Sequence, residues 1–163
     1  MSNLRDISIE ITNSLVEWKQ ELEKQLKNTI VDIDKTTEDM KVASAMGDRS
    51  ENAAFTTAVE KLSQLNVQLT NISQQLRELN NVDDTDYEPI GMAVLYSTIR
   101  LEANNQEFIY KLYPGNLSSR ERRVLAQNSR VGQGLWKKQV GSTFVVEHRV
   151  TRDPIIYKIK EIY

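Results

Sequence analysis

Asp48 and Glu51 stand three residues apart in the stretch Gly47-Asp48-Arg49-Ser50-Glu51-Asn52-Ala53-Ala54-Phe55, and a carboxylate pair at that spacing can do two things. Ahead of a helix, D-x-x-E is a capping box. The aspartate accepts from first-turn N–H groups, and the glutamate reaches back to the cap's own N–H. Far from any segment that could bury them, the same side chains are alternatively left available for chemistry. Arg49, Ser50 and Asn52 stand beside the pair. The two readings are compatible, because carboxylates that cap a free helix can release on docking.

Other chemistry is thin. His148 is the sole histidine and cysteine is absent, which excludes a thiolate zinc site, a histidine metal cluster and a disulfide framework. Arg120, Arg122, Arg123, Arg130, Lys137 and Lys138 form a basic run able to touch nucleic acid or an acidic protein surface, though such runs are more often solvated faces. Trp18 and Trp136 fall at helical core spacing and read as packing.

The elements around the carboxylates are two helices. Apolar positions run Ile11, Leu15, Trp18, Leu22, Leu26, Ile30, Ile33, Thr37 and Met40, with a 4-4-3 portion from 22 to 33 that would locally relax a left-handed supercoil. The second run, Phe55, Ala58, Leu62, Leu65, Leu69, Ile72, Leu76 and Leu79, alternates three and four without a fault. A short turn between long helices forces antiparallel packing, so residues 1–81 are expected to form a helical hairpin with its acidic tip at 47–55. At 1.5 Å per residue its arms reach on the order of 45 to 60 Å, too long for the core of a compact body of this size.

Residues 82–89, with Asp83, Asp84 and Asp86 before Pro89, read as a linker. Beyond it the period changes to two. Strands are expected at 92–101, 107–113, 122–127, 143–148 and 155–162, with a helix near 131–138 capped by Asn128 or Ser129. The fold class is therefore α+β: a hairpin followed by a small antiparallel sheet domain at 90–163, one sheet face covered by a short helix.

Composition excludes little else. Residues 1–81 carry 9 Lys/Arg against 13 Asp/Glu and residues 82–163 carry 12 against 10, so any basic partner surface lies in the second half. No apolar run approaches the roughly 20 residues of a membrane span, and the N-terminus lacks the plan of a signal peptide. A cytoplasmic protein with no membrane partner, and a monomer, is expected.

The tip heptapeptide Gly47 to Ala53, together with Ile90-Gly91 and Asn128-Ser129-Arg130-Val131-Gly132, Leu135 and Val140-Gly141, resembles the bacterial Gre transcript-cleavage factors. Arg49 is closer to the GreB branch than to the GreA branch. The resemblance implies an FKBP-like second domain and a hairpin inserted through the secondary channel of a backtracked RNA polymerase. Asp48 and Glu51 would there share a Mg2+ with the polymerase, so that the polymerase hydrolyses the nascent RNA 3′ end. The factor would supply carboxylates without being an enzyme or holding metal alone, with Ser50 and Asn52 supporting the tip by hydrogen bonding and Arg49 meeting phosphate or a polymerase carboxylate. This chain departs from the family at Ala54 and Phe55, where an acid and a tyrosine are common, and at Ser129-Arg130, where Ser-Pro is usual. Two alternatives stand beside this: a Gre-like regulator that occupies the channel and inhibits cleavage, and a prolyl isomerase. The second is disfavoured because Trp136, Phe144 and a few tyrosines do not assemble into an aromatic-lined pocket on paper.

Overall fold

The structure is a computed structural model that describes residues 3–45, 53–82 and 91–163. Helix α1 spans Leu4–Ala45 and α2 spans Ala53–Asn80. The two form the expected hairpin, and none of the described helices is long and apolar enough to cross a membrane.

The seam of α1 differs from the sequence expectation. Leu15, Leu22, Thr29, Thr36 and Ala43 are buried at strict seven-residue intervals, with Leu26, Ile33 and Met40 half-buried between them. Ile30, which the 4-4-3 reading put in the seam, is 44% exposed, whereas Thr29 beside it is 7% exposed. The partner helix decides this. Ala58, Leu65, Ile72 and Leu79 of α2 are buried at the same interval, and a heptad on one arm holds the other in heptad register. A threonine is tolerated there because Thr29 Oγ1 donates to the Gln25 carbonyl at 2.9 Å. Thr36 likewise takes the seam place expected for Thr37, which sits half-buried and donates to the Ile33 carbonyl.

The chain divides into two compact units, Met1–Glu17 with Glu78–Tyr163, and Trp18–Arg77. The sheet unit thus takes in both helix ends as well as residues 90–163. Its strands are β1 (Thr98–Ala103), β2 (Gln106–Tyr113), β3 (Val124–Ala126), β4 (Thr143–Glu147) and β5 (Pro154–Ile162), in the order β3-β2-β1-β5-β4. Asn104 and Asn105, both at positive φ, make the tight turn between β1 and β2.

Two expectations are corrected here. The sheet is antiparallel except at β2 and β3, which run parallel with Lys111 opposite Val124, because the connection 114–123 returns the chain to the same end of β2 before β3 begins. The first strand begins at Thr98 rather than Met92. Tyr96 sits at φ 69 and the Ser97 hydroxyl accepts from Val94 N, so a turn interrupts the run. Ala93 pairs instead with the segment after the short helix, donating to the Lys138 carbonyl and accepting from Lys137 N, each at 2.8 Å.

That helix, α3 (Arg130–Leu135), is capped by Ser129, whose Oγ accepts from Gly132 N at 3.0 Å. It stops early because Lys137 turns to φ 60. Ile99, Leu101, Leu112, Leu125, Leu135, Phe144 and Ile159 form the core on the α3 side of the sheet. The opposite face, with Thr98, Lys111 and Tyr113 buried, is held to the start of α1 by polar contacts: Lys111 Nζ donates to Thr12 Oγ1 at 3.0 Å, and Arg122 donates to the Ser14 carbonyl at 3.2 Å.

Candidate functional site

Helix α1 ends at Ala45 and α2 starts at Ala53, so Asp48 and Glu51, with Arg49, Ser50 and Asn52, lie in the connection between them and outside the described residues. What leads up to that connection is clear. The last buried seam position of α1 is Ala43 and the first of α2 is Ala58, small side chains that let two backbones approach closely near the hairpin end. Near the end of α1, Lys41 pairs with Glu38 at 3.2 Å. Among the described residues no three or more acidic or histidine side chains gather as a metal site.

The six residues of the basic run have separate occupations. Arg122 holds the Ser14 carbonyl, and Arg123 pairs loosely with Glu10 at 3.8 Å. Arg130 donates to the Glu147 carbonyl at 3.3 Å. Lys137 and Lys138 use their backbones to pair with Ala93. Arg120 lies over the Phe108 ring, 5.7 Å from its centroid.

Arg120 also lines a cavity of about 480 Å3 in the sheet unit, walled by Phe108, Tyr110 and Tyr157 over a floor of Val124, Leu125 and Val131. The sequence reading did not find this aromatic pocket because it started from Trp136 and Phe144. Phe144 belongs to the core, stacked on Tyr157 at 5.2 Å, and Trp136 packs against that core. The usable signal was the alternation in β2, which puts Phe108, Tyr110 and Leu112 on one face. Phe108 and Tyr110 stack with centroids 6.4 Å apart. Burial pushes the Tyr157 phenol above its ordinary pKa, with Tyr110 adding to the shift and Arg120 opposing it.

Residues 13–80 match the family model described as transcription elongation factor, N-terminal, of the GreA and GreB proteins. Over that segment the chain is similar to the Gre proteins. Its hairpin carries the match, and relatives extend it into the sheet unit. The GreA of Streptococcus sanguinis is 28% identical over 152 residues, covering 90% of this chain and 93% of that protein. The GreA of Christiangramia forsetii is 25% identical over 130 residues, covering 79% of this chain and 81% of its own length. GreA 1 of Lactiplantibacillus plantarum is 27% identical over 104 residues, 64% of this chain, which spans just under two thirds of that relative, 66%. The solved structure of GreA factor homolog 1 from Thermus thermophilus aligns with 89% of this chain and 94% of its own, at 14% identity and a TM-score of 0.35.

Proposed function

We propose that this Gre-like chain acts on RNA polymerase, inserting its hairpin into the secondary channel and stimulating the polymerase's hydrolysis of a backtracked RNA 3′ end. One observation carries the reading: the paired acids Asp48 and Glu51 fall in the seven-residue connection between the long helices α1 and α2. A hairpin of that length suits delivery of side chains into a deep cavity. At about 1.5 Å per residue, α2 alone is on the order of 40 Å long.

The donor set fits Mg2+ in kind, being carboxylate oxygen, and falls short in number, so Asp48 and Glu51 would hold the ion only jointly with the polymerase. Such an ion, when bound, stabilises the attacking and leaving oxygens of a phosphoryl hydrolysis. The chain's own part is positional. The seam keeps the helix ends together, the two carboxylates present oxygen acceptors, and Arg49 offers a guanidinium to phosphate or to a polymerase carboxylate. The chain would then be a cofactor of the polymerase and not an enzyme by itself, working in the cytoplasm as a monomer.

The test is a stalled, backtracked elongation complex with labelled RNA. Addition of the purified protein shortens the transcript, and Asp48→Asn or Glu51→Gln abolishes the shortening while polymerase binding persists. Unchanged RNA length counts against the reading, and suppression of intrinsic cleavage points to the inhibitory regulator instead. The aromatic pocket is the one observation on the side of prolyl isomerisation. A proline peptide whose isomerisation the protein does not accelerate removes that alternative.

A further inference from the structure

The pocket over β2 has a chemical character of its own, independent of the hairpin and of the transcriptional reading. Its lining holds no aspartate or glutamate, and at about 480 Å3 it falls in the size range of small-molecule sites. Some of its polar groups are already engaged. Ser118 Oγ accepts from Ala126 N at 2.8 Å, and His148 Nδ1 faces the Thr151 hydroxyl at 3.2 Å. Arg120 is different. Among the described residues its guanidinium has no ion-pair partner, and it rests against the Phe108 ring.

A guanidinium without an ion-pair partner among the described residues, above aromatic walls and an aliphatic floor, points to its ligand's chemistry. The floor and walls take an apolar body, and ring faces take planar groups best. One guanidinium matches one negative charge, and its fork matches the two oxygens of a carboxylate. We propose that this pocket binds a single carboxylate carried on an aromatic or branched apolar body, with Arg120 as the anion-binding residue and Phe108, Tyr110 and Tyr157 enclosing the body. The phenols of Tyr110 and Tyr157 supply further donors, and burial keeps the Tyr157 phenol protonated beyond the range of a free tyrosine.

Two sources share that chemistry, a free hydrophobic acid and the C-terminal residue of a peptide. The experiment titrates the full chain by heteronuclear NMR with N-acetyl-phenylalanine, N-acetyl-phenylalaninamide, a short peptide ending in a phenylalanine acid, and the same peptide amidated. Shifts should cluster on Phe108, Tyr110, Val131 and Tyr157, and each acid should bind about tenfold or more tightly than its amide, the size of one charge-assisted hydrogen bond. Arg120→Gln should remove that preference with the remaining spectrum unchanged, and Arg120→Lys should restore part of it. A tighter peptide acid assigns the site to a chain terminus, and equal binding of the two acids assigns it to a free ligand. Absence of shifts at millimolar ligand, equal binding of acid and amide, or an acid preference that survives Arg120→Gln overturns the proposal.

Discussion

Gly132 shows how one residue sets a packing distance. A Cβ built there meets the Ala126 carbonyl oxygen inside van der Waals contact, and that oxygen is held by the Ser129 hydroxyl at 2.7 Å, so neither side can give easily. Gly132→Ala should cost about 1 to 3 kcal/mol in urea unfolding, the range of overpacking, and a loss under about 0.5 kcal/mol would show that α3 shifts freely. At the tip the expectation is opposite. Asp48→Asn and Glu51→Gln lose at most a cap, about 0.5 to 2 kcal/mol, so their calorimetric unfolding should stay near wild type while stimulated cleavage disappears. Loss of folding together with loss of cleavage would make the carboxylates structural.

At the scale of elements, the hairpin seam contains a threonine hydroxyl with nothing to bond. Thr36 is 2% exposed and among the described residues its Oγ1 has no hydrogen-bond partner, whereas Thr29 one heptad earlier is satisfied by Gln25. Thr36→Val keeps the shape and removes the buried polar atom, so it should stabilise the hairpin by about 1 kcal/mol, and Thr29→Val should gain less. Ile30→Ala should be nearly neutral, within about 0.5 kcal/mol, because that side chain faces outward. A large loss at Ile30 would restore the 4-4-3 seam and contradict the heptad.

Across the whole molecule, pH acts on the sheet through Glu102 and Lys160, joined at 2.7 Å. The hydrogen bond and charge of Lys160 hold Glu102 below the usual carboxylate range, and Glu102 holds Lys160 above the usual lysine range. A depressed carboxylate stabilises above its unfolded pKa and loses that contribution as pH falls through its folded value. A raised lysine stabilises below its unfolded pKa and loses the contribution as pH rises through its folded value. The Tm gap between wild type and Lys160→Met should therefore be open at neutral pH and close toward both acid and alkali. A gap that persists in acid would mean the lysine acts through packing. Tyr157, raised by burial, adds to the alkaline loss in both proteins.

The α2 heptad and the Ser129 cap were legible in the chain itself, because each is a local pattern whose spacing matches a helix period or a cap geometry. The parallel pairing of β3 was not, since three residues carry no signal for direction and the connection 114–123 decides it. Nor was the α1 register, where hydrophobicity favours Ile30 over Thr29 and only the partner helix overrules it. Most of the pocket belonged to tertiary structure. Phe108 and Tyr110 share one face of β2, but Arg120 and Tyr157 come from separate stretches of sequence, and the fold brings them to one cavity.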